Sequence, residues 1–336
     1  MRLLILGGTA FLGRAVARQA RDAGHDVICA ARGASGEPVD GVRFVMVDRD
    51  VPNGLSALDG GKFDAVIDVA RRPLHVRSAL DALAGRVGHW TFVSSCSAYA
   101  DQTTPGQRAT TAPLLPAIPP TEEDVNPDDA TVYGRRKVAC EEAVLAATGA
   151  TRSFICRAGL IVGPEDPSGR FGYWVRRLAR GGEVLAPGDP ADAVQFVDVR
   201  DLAAWLVSGS EAGLAGAYDG IGAPMGRAEF LSRIAARIAP DGTRFTWVDQ
   251  EFLAAHDVRP WMGERALPLW LPLPEHAGFL ARDTAPALAA GLATRDIGQT
   301  AVDTLAWLAD RPGAAVTGLA AEDETNVLAE WHARLG

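Results

Sequence analysis

The chain has 336 residues, 48% of them hydrophobic and 22% charged, with a formal net charge of -9 at pH 7. Those are ordinary values for a soluble globular protein with a sizeable core, and an acidic balance without any Lys/Arg run excludes a general polyanion-binding surface. No apolar stretch approaches the ~18 residues of a membrane helix, and no targeting peptide precedes the first predicted strand, so the expectation is a cytoplasmic protein.

The opening stretch, MRLLILGGTAFLGRAVARQARDAGHDVICAARG, reads as a strand over Arg2–Leu6, a glycine turn, a helix with apolar spacing through Ala15, Val16, Gln19 and Ala20, and a second strand over Asp26–Ala30. That is a right-handed βαβ unit. Its first turn lies at the carboxyl end of a central strand, where the amides that open the next helix point outward and attract phosphate. Glycine suits the turn because a Cβ would collide with the pyrophosphate or the neighbouring strand. The spacing Gly7-x-x-Ala10-x-x-Gly13 departs from G-x-G-x-x-G, and a glycine turn that binds nothing is the plain alternative.

Strands are predicted next at Arg43–Val47, Asp64–Val69, Trp90–Ser94 and Ser153–Arg157, with helical segments between them. Near-continuous apolar strands alternating with helices imply a parallel sheet covered on both faces. Asp101–Pro127 carries six prolines and no helical period, which marks it as a candidate lid. After Ile161 the pattern loosens: a helix near Val175–Arg180, the strand-like AVQFVDV, and a helix near Leu202 whose entry turn Asp198 and Asp201 organise. The tail ends in EDETNVLAEWHARL, read as a surface helix opened by acidic residues. This divides the chain into a dinucleotide-binding domain, 1–165 plus about 193–222, and a smaller one, 166–192 plus about 223–336.

The segment HWTFVSSCSAY sets Ser94 and Ser95 at the carboxyl end of a predicted strand, the edge at which open α/β sheets bind ligands. Further on, DDATVYGRRKVACEEAVLAA reads as a helix on which Tyr133 and Lys137, four residues apart, share one face. A phenol normally titrates near ~10, and a cation held close favours its phenolate. A Tyr-x-x-x-Lys pair also arises by chance in many helices; here it follows a strand-end Ser-Ser and a glycine turn.

With these pieces in place the chain resembles the extended short-chain dehydrogenase/reductases, the NAD-dependent epimerase/dehydratase-like group, through GGTAFLG, FVSSCSAY, YGRRK, RAGLIVGP and QFVDVRDLA. The resemblance implies a Rossmann-type doubly wound parallel sheet with a smaller C-terminal substrate-binding domain. It also implies that Ser95, four residues before Tyr99, binds the substrate oxygen, that Tyr133 exchanges the proton, and that Lys137 binds the nicotinamide ribose. Gly7, Thr9, Ala10, Phe11, Leu12 and Gly13 would hold the dinucleotide, with Arg32, Asp48, Ala70 and Ser94 as further cofactor contacts. Relatives often form homodimers through the helix that carries the tyrosine, a state these residues leave open.

Departures from the pattern narrow the reading. Ala30-Ala31-Arg32-Gly33 has no carboxylate to repel a 2′-phosphate, and Arg32 can pair with one, which favours NADP over NAD; the alternative is a solvated Arg32 and bound NAD. Asp48 resembles the residue that contacts adenine, or else forms a turn. Cys96 and Ser97 stand where dehydratases carry an acidic pair, and Ala158 and Gly159 where nucleotide-sugar epimerases carry an asparagine.

The leading reading is therefore an NAD(P)-dependent oxidoreductase acting on the ketone or alcohol carbon of a small organic substrate. The alternatives are a nucleotide-sugar epimerase with retained NAD and a non-catalytic nucleotide-binding protein. Among the other candidates, Cys29, Cys96, Cys140 and Cys156 lack metal-site spacing and read as reduced packing thiols. His75 and His89 have no metal-spaced partners and are not read as catalytic; no metal is expected. Trp174, Trp261 and Trp270 fit a small-domain core or an apolar pocket, and Arg71 and Arg72 read as solvated.

Overall fold

Leu3, Leu4, Ile5 and Leu6 have no exposed surface at all. Leu3 and Ile5 join one apolar cluster and Leu4 and Leu6 another, as the twofold alternation of a strand buried on both faces requires. In the computed structural model, which describes residues 1–122 and 129–335, these residues form β1 (Arg2–Leu6). There follow β2 (Asp26–Ala31), β3 (Arg43–Met46), β4 (Phe63–Asp68), β5 (Val87–Ser95) and β6 (Ser153–Ala158). With the strand Gly216–Gly220 they build a parallel seven-stranded sheet, ordered Gly216–Gly220, β6, β5, β4, β1, β2, β3.

The helices are α1 (Phe11–Asp22), α2 (Pro73–Leu83), α3 (Ala130–Thr148), α4 (Arg170–Arg180), α5 (Val199–Glu211) and α6 (Arg227–Ile238). α1 packs with α5 on one face of the sheet, and α2 with α3 on the other. Register brings the functional strand ends level: Leu6 pairs with Ala30 and Asp68, Asp68 with Phe92, and Ser95 with Ala158. No helix among the described residues is long and apolar enough to cross a membrane.

A second core gathers residues from Leu160 onward, among them Phe171, Trp174, Phe230 and Trp270. Trp174 is pinned by its indole N–H, which donates to Pro268 O at 2.7 Å. Trp174 and Trp270 are thus core residues, whereas Trp261 is half-buried, with the Arg170 guanidinium 4.6 Å from its ring centroid and Phe279 packed edge-on at 5.6 Å.

Several predicted elements are corrected. α4 starts at Arg170, five residues before the predicted Val175, because Gly169 in a left-handed conformation opens it. AVQFVDV breaks into Ala193–Val194 and Val197–Asp198; between them the Gln195 side chain turns inward and donates to Gly222 O and Arg282 O. Asp198 caps α5 as expected, but Asp201 instead accepts from the Arg295 backbone and side chain.

The final helix, Ala321–Leu335, is docked rather than lying on the surface: Val327 and Leu328 are buried. Glu324, expected to serve the helix N-terminus, points inward onto Arg177, Arg180 and the Leu185 N–H.

The described part of the candidate lid is stitched to the 276–283 segment by backbone hydrogen bonds. The Gly278 N–H donates to Gln102 O at 2.8 Å, Gly106 to Ala281 O at 2.7 Å and Asp283 to Gln107 O at 3.0 Å. A Cβ on Gly278 would fall 2.3 Å from Thr104 O. Residues Glu123–Pro127 of that stretch lie outside the described residues.

Candidate active site

The glycine turn has the tight geometry its spacing implies. Gly7 has φ +98°, and a Cβ on Gly13 would lie 2.1 Å from Gly7 O, so α1 sits directly on the turn. No side chain caps α1 at Ala10, which leaves the helix N-terminus to a ligand's anionic oxygens. Phe11 is half-buried, and Leu12 is buried in the core under the turn, so only the Leu12 backbone can face a cofactor. Thr9 is buried as well. These residues fit a dinucleotide pyrophosphate.

Beside the turn opens a cavity of about 140 Å³ lined by Gly7, Thr9, Ala10, the Ala30–Ser35 loop, Val47, Arg49 and His75. Arg32 reaches its mouth. Arg49 is committed to the buried carboxylate of Asp68 at 3.1 Å. Asp48 accepts the Asp50 N–H at 2.9 Å, so its carboxylate forms the turn after β3.

Asp50 in turn receives Arg32 Nη1 at 3.1 Å, Arg72 Nη1 at 2.5 Å and His75 Nε2 at 2.8 Å. Sequence reasoning missed this group, and Arg72 is not the solvated residue expected. The Asp50 carboxyl is held below the ordinary range, chiefly by the His75 hydrogen bond; burial lowers His75, opposed by that same bond.

At the other end of the sheet edge, Asp129 caps α3 by accepting from the N–H groups of Thr131 and Val132. Gly134 lets the helix approach closely: a Cβ there would fall 2.0 Å from Ser97 O. This seats the half-buried Tyr133 beside the strand end that carries Ser95. Lys137 is buried, with Nζ donating to Ala70 O and Val93 O at 2.7 Å each, 4.9 Å from the Phe92 ring centroid and 5.9 Å from that of Tyr133. The Ala70 carbonyl thus serves Lys137. Arg71 is exposed, as expected, and places its guanidinium 5.5 Å from the Tyr133 ring centroid.

Ser95 Oγ accepts the Ser97 N–H at 3.1 Å and keeps its own proton to donate. Ser94 departs from its expected role: its hydroxyl donates to buried Glu141, since successive strand residues face opposite sides of the sheet and Ser94 faces α3.

Behind the strand end runs a buried ionic network. Arg157 pairs with Glu141 at 2.7 Å and donates to Ala109 O of the loop at 2.8 Å. Tyr99 donates to Asp219 at 2.6 Å, and Arg282 lies 3.5 Å from the Tyr99 ring centroid. The Arg282 Nε–Asp219 Oδ2 pair, at 3.0 Å, is poorly aligned for a hydrogen bond and rests on charge attraction. Burial raises the Asp219 carboxyl and pushes the Cys96 thiol well up, which marks Cys96 as a packing residue. All four cysteines are buried and unpaired in disulfides. His89 is buried with Nε2 on Leu214 O. Among the described residues no His/Cys/Asp/Glu group could hold a metal ion.

Comparison with known proteins gives a family match over residues 3–215, to the NAD dependent epimerase/dehydratase family. The 2′-dehydrokanamycin reductase of Streptomyces kanamyceticus is 32% identical over 216 residues, 61% of this chain and 57% of that protein. The match thus spans less than two thirds of that relative's length. Among solved structures, the Bordetella bronchiseptica enzyme WbmH in complex with NAD+ superposes with a TM-score of 0.65 at 16% identity, covering 92% of this chain and 99% of that one. UDP-glucuronic acid 4-epimerase from Bacillus cereus in complex with NAD gives 0.62 at 13% identity, covering 92% and 99%. At these identities the two structures establish a shared fold.

Proposed function

The chain belongs to the NAD-dependent epimerase/dehydratase family, and from that membership we propose that it is a nicotinamide-dependent oxidoreductase moving hydride to or from a ketone or alcohol carbon of a small organic substrate. Residues 1–165 with about 193–222 would hold the dinucleotide and the remainder the substrate. The observation that carries the reading is Lys137: a buried ammonium fixed by the carbonyls of Ala70, just after β4, and Val93, within β5, beside the Tyr133 ring. Burying an ammonium costs several kcal/mol before compensation, and a surface helix of no function has no reason to do so.

Bound nicotinamide supplies or accepts the hydride. Ser95 donates its hydroxyl proton to the substrate oxygen, Tyr133 passes a proton to that oxygen as negative charge develops on it, and Lys137 supplies fixed positive charge beside the phenol. The loop stitched to 276–283 would serve as the cover that keeps water from the reacting atoms. NADP is the favoured dinucleotide, because Ala30–Gly33 offers no carboxylate and Arg32 stands at the cavity mouth.

The test is NADPH oxidation against a panel of ketones and aldehydes. Activity that falls by about a hundredfold or more in Tyr133→Phe supports the reading. Protein that purifies with bound NAD and turns over no free nicotinamide overturns it in favour of an epimerase. Tight dinucleotide binding without turnover on the whole panel, unchanged in Tyr133→Phe, points to a binding protein.

A further inference from the structure

Asp50, bonded to Arg32 and His75 of the cavity beside the glycine turn, collects three donors from two different walls. Arg32 comes from the loop after β2, and Arg72 and His75 from the start of α2. With an anion between them these groups are satisfied; without one, two guanidinium groups would repel across the mouth. The third cation of the region, Arg49, is spent on Asp68 and takes no part.

We propose that Arg32, Arg72 and His75 form the subsite for the 2′-phosphate of NADP, and that Asp50 fills it as an internal anion which the phosphate displaces. This rests on the dinucleotide-dependent reading above. Three facts carry it. The donors converge on one carboxylate, and three donors match the three terminal oxygens of a phosphate monoester better than the two oxygens of Asp50. They lie beside the loop Ala30–Ser35, where the adenosine ribose of a dinucleotide on this turn must fall. The carboxylate side chain is only 29% exposed while Arg32 and Arg72 are 55% and 40% exposed, so the cations have room to follow a larger anion.

Asp50 is then a specificity residue with a definite sign: its negative charge competes with the phosphate and leaves NAD untouched. Titration of the whole protein with NADPH and NADH, followed by nicotinamide fluorescence, tests this, with adenosine 2′,5′-bisphosphate and 5′-AMP as non-redox competitors. Arg72→Gln is expected to weaken NADPH and the bisphosphate by about tenfold, the loss of one charge-assisted hydrogen bond, and to leave NADH and 5′-AMP within a factor of about two. Asp50→Asn is expected to tighten NADPH and the bisphosphate severalfold with NADH unchanged.

Equal losses for both dinucleotides in Arg72→Gln would make the residue structural and overturn the assignment. So would an Asp50→Asn protein that binds NADPH no better than the parent. Parent protein that binds neither dinucleotide fails the functional reading itself, whereas a preference for NADPH that survives both substitutions fails this subsite alone.

Discussion

The guanidinium of Arg71 lies 5.5 Å from the ring centroid of Tyr133 and the ammonium of Lys137 lies 5.9 Å from it, so the phenol is approached by two cations from two elements. Lys137 is committed to carbonyls, whereas Arg71 is exposed on the loop after β4. An exposed cation–π contact is worth about 0.5–1 kcal/mol. Arg71→Ala is therefore expected to lower kcat with the best carbonyl substrate by roughly two- to fivefold, with NADPH affinity unchanged, and Arg71→Lys to recover part of the loss. A fall in NADPH affinity of the same size would assign Arg71 to the cofactor instead.

Lys137→Met keeps the aliphatic stem against Phe92 but strands the Ala70 and Val93 carbonyls, both of which lose their ammonium donor. An unsatisfied buried acceptor costs roughly 1–3 kcal/mol. The variant should be destabilised by about 2–4 kcal/mol in urea unfolding and lack turnover. Stability equal to the parent would show that water replaces the ammonium and that Lys137 is held for catalysis alone.

Gly13→Ala tests the turn. The added Cβ meets Gly7 O at 2.1 Å, a backbone atom that cannot rotate away, so α1 must lift off the turn. Gly85 has a negative φ and open space around its Cβ position, which makes Gly85→Ala the control. Loss of NADPH binding in Gly13→Ala, with binding kept in Gly85→Ala, is the expected pair of results. A Gly13→Ala protein that binds normally would separate the glycine spacing from cofactor binding.

What could be read from the chain was local. Leu3–Leu6, the spacing from Gly7 to Gly13, and Tyr133 with Lys137 are each defined within one element, where period and sterics act directly on neighbours. The Asp50 cluster joins residues 18, 22 and 25 positions apart, from the loops after β2 and β3 and the start of α2, whose meeting depends on how β3 and α2 are placed on the sheet. Single-sequence reading has no handle on that. Ser94 was misjudged for a simpler reason: on a strand, a one-residue step exchanges the ligand side for the helix side. The acidic opening of Ala321–Leu335 suits the helix dipole equally well whether Glu324 faces water or Arg177, and only the packing of α4 decides between them.

Acid sensitivity should be traceable to His89. Its ring is buried in β5 with Nε2 on Leu214 O, and burial lowers its pKa, an effect the carbonyl hydrogen bond opposes but does not cancel. The unfolded chain, with an ordinary histidine near ~6.5, binds a proton that the folded chain refuses. The neutral ring's contribution to stability is thus fully present above the unfolded pKa and is lost as pH falls through the lower folded value. His89→Gln retains an amide donor for Leu214 O and cannot titrate. Thermal unfolding at a series of pH values should show the parent losing stability more steeply than His89→Gln below about pH 6.5, with the two curves parallel above it. His75 and the carboxylates titrate in both proteins and cancel in the difference. Curves that stay parallel down to the acid transition would show that the folded protein accepts the proton at His89 without loss of stability.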